Sequence, residues 1–220
     1  SFKPDLVWIK SRSNVTNHVD NDSSRGAGID LYPNLTNAEG ATGVFTSFNS
    51  NGFSLGPDGG GAENGNGLTY VAWQWQAGAG TTSSNTSGSI TSTVSVNTTA
   101  GFSVVTYTGN GSNGATAGHG LGVAPSMVIV KNRDATYSWM VKTSSLASTY
   151  NLRLQDVAAA TAALGSGYVD GLTSTVFTLY SGSSDIRNVN GNTEHYVAYC
   201  WAPVAGYSAF GTYTGNGSTD

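Results

Sequence analysis

Tyr70-Val71-Ala72-Trp73-Gln74-Trp75 is written a second time as Tyr196-Val197-Ala198-Tyr199-Cys200-Trp201, 196 − 70 = 126 residues further on. In both copies the large side chains alternate with small or polar ones. Val71, Trp73 and Trp75 share one side, and so do Val197, Tyr199 and Trp201. A period of two belongs to a β-strand, whose successive side chains point to opposite faces. The hexapeptide therefore predicts a strand that lays a row of large residues on a core. The same row could serve as a platform for stacking sugars, but core packing is the favoured reading.

Working outward, more of the chain repeats. Pro4-Asp5-Leu6-Val7-Trp8-Ile9-Lys10-Ser11-Arg12 returns as Pro125-Ser126-Met127-Val128-Ile129-Val130-Lys131-Asn132-Arg133, at 125 − 4 = 121. Ser23-Ser24 and Leu31 return as Ser144-Ser145 and Leu152 at the same spacing. Phe53-Ser54-Leu55 answers to Phe177-Thr178-Leu179, and Asn64-Gly65-Asn66 to Asn190-Gly191-Asn192. The offset grows only in small steps, as it does when one fold carries a few loop insertions.

A third start follows: Tyr213-Thr214-Gly215-Asn216-Gly217-Ser218 copies Tyr107-Thr108-Gly109-Asn110-Gly111-Ser112. No such motif precedes Pro4. The repeat thus predicts a section of a longer repeating protein, organised as a first unit over 1–78 that is incomplete at its N-terminus, a Gly/Ser/Thr-rich linker and opening strand over 79–100, a second unit over 101–205, and a further opening strand over 206–220. If the first unit needs a Tyr-Thr-Gly-Asn-Gly strand, its sheet has an unpaired edge. Tyr207, Phe210 and Tyr213 belong to a segment that would complete it by strand addition, in the same chain or a neighbouring one.

Strand signals dominate elsewhere. Asp5 to Lys10, Thr69 to Gln74, Ser103 to Thr108, Met127 to Lys131, Val176 to Tyr180 and His195 to Cys200 are short, rich in β-branched and aromatic residues, and bounded by Gly, Asn, Pro or Ser. Only Val157 to Leu164 has good helical propensity. The fold class read from this pattern is all-β, with two tandem antiparallel β-sandwiches.

Composition narrows the function. Charged residues make up 10% of 220 and glycine supplies 30 positions, against about 25% and ~7% in ordinary soluble domains. The surface is neutral and rich in hydroxyl and amide groups, as in extracellular and virion β-proteins. With a net charge of −4 and no basic cluster, the chain lacks the face a nucleic acid needs. One cysteine, Cys200, permits no intrachain disulfide, and no apolar run is long enough for a membrane-spanning helix.

No catalytic constellation stands out. Glu39, Glu63 and Glu194 are scattered, whereas a glycosidase needs two carboxylates about 5 to 9 Å apart. His18, His119 and His195 stand singly, without partners at metal spacing. His18-x-Asp20-x-Asp22 offers calcium-type oxygens, but its repeat counterparts Trp139, Val141 and Thr143 do not, and a loop or strand edge is the simpler reading. No metal or cofactor is expected. The candidates for glycan contact are Tyr137 and Trp139, read as sharing a strand face, with Tyr150 and Tyr180 near loops, because aromatic rings stack on sugars.

Gly101 to Gly111, Gly118-His119-Gly120-Leu121-Gly122-Val123-Ala124-Pro125, Tyr196 to Trp201 and Tyr207 to Gly217 together resemble a repeat family in virion proteins of tailed bacteriophages, notably marine ones. Asp22-Ser23-x-Arg25-Gly26 with Val71 to Trp75 is similar to another variant of that family. The resemblance implies concanavalin A-like jelly-roll modules in a tail fibre or other structural virion protein. It implies a virion or extracellular setting. In that setting the chain is expected to form an oligomer of identical chains that contacts other virion proteins and host surface glycans. The resemblance transfers no catalytic residue. A carbohydrate-binding module or surface adhesin of a bacterium is the alternative, followed by a purely structural subunit and then a polysaccharide hydrolase.

Overall fold

The computed structural model describes residues 1–160, 168–181 and 185–218. The first unit contains β1 (Leu6–Ser11), β2 (Val19–Asp22), β3 (Ile29–Asp30), β4 (Gly40–Ala41), β5 (Phe45–Asn49), β6 (Gly52–Leu55) and β7 (Tyr70–Trp75). The second contains β8 (Ser83–Asn85), β9 (Ser92–Asn97), β10 (Phe102–Thr108), β11 (Ala115–Gly118), β12 (Met127–Asn132), β13 (Met140–Thr143), β14 (Leu152–Arg153), β15 (Val169–Asp170), β16 (Val176–Leu179) and β17 (His195–Trp201). All ladders between these strands are antiparallel. A 3-10 turn at Ile186–Asn188 is the sole helical element among the described residues. Within the expected helical run, Val157 to Ala160 is irregular, and 161–164 lies outside the described residues.

The pairing of β1 with β2 and β7 recurs residue for residue in the pairing of β12 with β13 and β17. Leu6 faces Asp22 and Trp75 across its two ladders, and 121 residues on Met127 faces Thr143 and Trp201. Ser11 pairs with Tyr70 as Asn132 pairs with Tyr196. The Tyr70 hydroxyl accepts the Gly65 N–H at 2.7 Å, and the Tyr196 hydroxyl accepts the Gly191 N–H at 2.6 Å. One local solution, a strand whose first tyrosine ties down the preceding glycine turn, has been used twice.

The two sheets then diverge. In the first unit the order is β2-β1-β7; in the second it is β14-β13-β12-β17-β10-β9-β8. Beside β17 runs β10, whereas β7 is an edge strand. The seven-stranded sheet buries Val105, Tyr107, Val128, Val130, Ala198 and Cys200 against the three-stranded β11-β16-β15 sheet, which contributes Ala117, Phe177 and Leu179. The first unit buries Val7 and Ile9 against Phe45, Phe48 and Phe53 of the β5-β6 hairpin.

The aromatic row of β17 does pack on a core, as expected, but that core is the joint between the two units, and in β7 Trp73 stays 45% exposed. Within each sandwich the strand lays its other side, Ala72 or Ala198 and Cys200, on the core. The row of large residues points outward. Tyr199 and Trp201 are buried only because the first unit covers them: Leu6, Leu31 and Ala77 join Phe102, Val104, Ile129, Trp139, Tyr199 and Trp201 in one cluster, with Trp75 packed against it. The Trp75 ring lies 5.7 Å from that of Trp201 and 6.3 Å from that of Phe102. The two sandwiches are thus joined through corresponding outer faces.

The segment read as a linker is equally fixed. β8 and β9 within 79–100 are paired strands of the seven-stranded sheet. The turn before them is held by Asp5, whose buried carboxylate accepts N–H bonds from Ala77 (2.7 Å), Ala79 (2.8 Å) and Gly80 (2.7 Å) and the Ser23 hydroxyl at 2.6 Å. Removing the acceptor would leave several backbone donors unpaired, at about 1–3 kcal/mol for each group that stays buried. Asp5→Ala is expected to lower unfolding stability by roughly 3 kcal/mol, read as a lower denaturant midpoint at unchanged m-value.

Candidate functional site: an aromatic cleft between the sandwiches

The four sequence candidates do not converge. Trp139 is 1% exposed, and its indole N–H donates to the Tyr32 and Leu35 carbonyls at 3.1 and 3.0 Å. It locks the two sandwiches together and presents no ring to solvent. Nor does it share a strand face with Tyr137: β13 begins at Met140, and Tyr137 lies in the loop before it. The Tyr137 ring is half-buried under the Arg187 guanidinium, 4.9 Å from its centroid, and its hydroxyl donates to Asp185 at 3.1 Å. Tyr150 and Tyr180 are half-buried at loop positions. A loop and a buried joint took the place of the expected strand platform because Trp139 finds its apolar partners across the unit boundary.

What the fold does assemble is a cleft where the two joined faces splay apart. Pairing places Trp8 opposite Trp73, two residues along from the pair formed by buried Leu6 and partly buried Trp75. There Trp73 is 45% exposed. Trp8, His18, Trp73 and Trp75 line a cavity of about 260 Å³. A second cavity, of about 390 Å³, shares Trp8 and His18 and continues along Pro33 and Asn34 to Gln155 and Asp156 of the second unit. Trp73 stood in the row that pattern reading assigned to a core; its exposure follows from the docking angle, which the local sequence does not encode.

The rings are held. The Trp8 indole N–H donates to His18 Nδ1 at 2.9 Å, and the His18 backbone N–H donates to Asn34 Oδ1 at 2.9 Å. Trp8 meets Trp73 edge-on, with centroids 6.1 Å apart. Burial, then the Lys10 charge, hold the His18 ring below its usual pKa. This suits the neutral form, whose Nδ1 accepts from Trp8. Apolar walls with amides and a carboxylate at the rim are the features that bind a polar ligand bearing an apolar face.

Several acids are engaged in structural contacts away from the cleft. Asp22 accepts from Arg25 and from the Tyr199 hydroxyl (2.7 Å), while Glu39 takes both donors of Arg133 at 2.8 Å. Glu194 binds Arg187, Asn132 and Tyr196. Asp58 accepts four backbone N–H groups and so stays ionised below the usual carboxylate range, despite partial burial that opposes this. Glu63 is 2% exposed and is pushed up to about 8 by burial and by Asp30 and Asp58. His119 is buried, accepting the Leu121 N–H at 3.2 Å and facing the Thr173 carbonyl at 3.2 Å. Burial also pushes the Cys200 thiol up to about 12. No group of three or more His, Cys, Asp or Glu side chains suited to a metal ion occurs among the described residues.

The chain belongs to a family described as a domain of unknown function (DUF7483), whose model matches residues 1–220, both sandwiches together. No curated protein and no solved structure matches it.

Trp139→Ala is expected to cost about 3–5 kcal/mol of stability, and Trp73→Ala less than about 0.5 kcal/mol, compared by urea unfolding. Burial pushes the Asp20 carboxyl up to about 8, although the Arg25 charge opposes the shift. The folded chain therefore holds this proton more tightly than the unfolded chain does. Folding takes up a proton between pH about 4 and about 8, so stability falls as pH rises through that window. In Asp20→Asn the fall is removed: its stability relative to the parent should grow steadily from pH 4 to pH 8, read from thermal melts at matched ionic strength.

Proposed function

We propose that this chain is a non-enzymatic structural and adhesive module of a phage particle, a tail fibre or another virion appendage, whose Trp8–Trp73–Trp75 cleft binds glycans of the host surface. The exposure of Trp73 beside a Trp8 ring fixed by His18 carries this reading. A sugar ring has one apolar face and a rim of hydroxyls, and the cleft has indole walls with Asn34, Gln155 and Asp156 at its rim. Support also comes from the all-β build, the scarcity of charge, and the similarity of the Tyr-Thr-Gly-Asn-Gly and Gly-His-Gly-Leu-Gly motifs to virion repeats. Jelly-roll modules of the concanavalin A-like type and a virion or extracellular location belong to the same proposal. Single sites of this kind bind weakly, and display on an oligomer of identical chains, alongside other virion proteins, raises the avidity.

Titration of neutral oligosaccharides against the intrinsic tryptophan fluorescence tests the proposal. Binding should quench or shift the emission, and Trp73→Ala should weaken it by about tenfold, equivalent to about 1.4 kcal/mol, with the near-UV dichroism of the buried aromatic residues retained. A chain that ignores every glycan on an array, or a Trp73→Ala variant that binds as well as the parent, would overturn the adhesive reading. The same cleft on a bacterial cell-surface protein would give the same titration, and the genomic neighbourhood of the coding sequence separates the two settings.

A further inference from the structure

The cleft has two arms that meet at Trp8 and His18. The narrow arm, walled by these two side chains with Trp73 and Trp75, encloses about 260 Å³. Sites for whole small-molecule ligands run from about 300 to 1,000 Å³, so this arm suits a substituent of the ligand rather than the ligand itself. Its walls are angular. The Trp8 ring stands at 72° to that of Trp73 and at 70° to that of His18. Rings set at such an angle make a corner that closes around a small apolar group, whereas a flat sugar face can cover only one wall at a time.

The polar atoms of these four side chains are of one kind. His18 Nδ1 accepts from Trp8 at 2.9 Å, so the neutral imidazole, the form that its depressed pKa favours, carries its proton on Nε2. That N–H and the indole N–H groups of Trp73 and Trp75 have no hydrogen-bond partner among the described residues. All three are donors. Since Trp8 Nε1 and His18 Nδ1 satisfy each other, the side chains of the narrow arm offer no free acceptor. A hydroxyl seated there would leave its own proton unpaired, and an ammonium would lose water without gaining a partner; a carbonyl oxygen only accepts.

The wide arm, of about 390 Å³, has the opposite character, with the oxygens of Asn34, Gln155 and Asp156 at its edge. Each accepts one bond from the backbone: Asn34 Oδ1 from the His18 N–H at 2.9 Å, Gln155 Oε1 from the Trp139 N–H at 3.0 Å, and Asp156 Oδ1 from the Ala158 N–H at 3.2 Å. Lone pairs remain on all three for the hydroxyl protons of a ligand. The two amide nitrogens already donate, Asn34 Nδ2 to Asn17 Oδ1 and Gln155 Nε2 to Ser138 Oγ, both at 3.0 Å, which fixes the direction in which each oxygen points. We infer that the ligand of this cleft is an N-acetylated amino sugar, its acetamido group in the narrow arm, with the methyl in the indole corner and the carbonyl oxygen accepting from the unpaired N–H groups, and its hydroxyl-bearing ring in the wide arm. An acetamido group meets both demands of the narrow arm at once, an apolar end and an oxygen that only accepts. The inference rests on the glycan reading of the cleft and adds the class of sugar.

Fluorescence titration of the whole chain with triacetylchitotriose, its de-acetylated counterpart and cellotriose tests the inference, joined by saturation-transfer NMR in which the aromatic protons of the protein are irradiated. The three sugars share one backbone and differ in carrying an acetamido, an ammonium or a hydroxyl group at the same ring position. The acetylated trimer should bind at least about tenfold more tightly than the other two. Its methyl protons should receive the strongest saturation, and Trp73→Ala should abolish that signal. Equal or tighter binding of cellotriose, or methyl protons less saturated than the ring protons, would overturn the acetamido assignment and leave the cleft a general glycan site. Binding on an array to glycans without an acetamido group alone would do the same. A chain that binds no glycan at all would overturn the glycan reading and this inference together.

Discussion

The outer faces of two sandwiches, pressed together around Trp75, Phe102 and Trp201, decide what else this molecule can do. An isolated sandwich would leave such aromatic rows in water, and burying them supplies the apolar contact that holds the halves in one orientation. Polar groups fix the angle. Arg25 is buried with Asp22 and reaches Tyr199 and Glu39, which also grips Arg133 across the boundary. Buried charges of this kind add little net stability but make departures from the pairing costly, because any shift strands a charge away from water.

From that joint comes the asymmetry between the two copies. Tyr199 and Trp73 hold equivalent positions, yet one is buried beneath the partner sandwich and the other lines an open cleft. Duplication supplied two equivalent aromatic rows, and docking buried one while opening part of the other. The His18–Trp8 hydrogen bond then stiffens the exposed part, so little ring motion remains to be lost on binding.

Edge strands are a second consequence of using one unit twice. A strand edge exposes a row of unpaired peptide groups, and proteins either blunt such edges or use them. Few charges guard β7: its sequence, Tyr-Val-Ala-Trp-Gln-Trp, carries none. The Pro57–Leu68 loop beside it is already folded around the Tyr70 hydroxyl, which donates to the Gly61 carbonyl at 2.9 Å.

Local pattern determined the strands, because β-branched and aromatic alternation between glycine turns needs nothing beyond near neighbours. The expected run at Asp5 to Lys10 is offset from β1 by one residue, and that at His195 to Cys200 stops one residue short of the end of β17. The repeat likewise determined that two units share one plan, and registers follow it throughout β1-β2 and β1-β7. Which face of each strand is inside was not legible, since Ala72 and Trp73 both suit a buried environment and only the β5-β6 hairpin and the second sandwich choose between them. Trp139 and Trp73 exchanged roles for the same reason: exposure is a property of what packs against a side chain across 60 or more residues of sequence, as with Trp139 and Tyr32 (139 − 32 = 107). The sequence by itself wrote the units; tertiary packing decided how they dock, and with that where a binding surface opens.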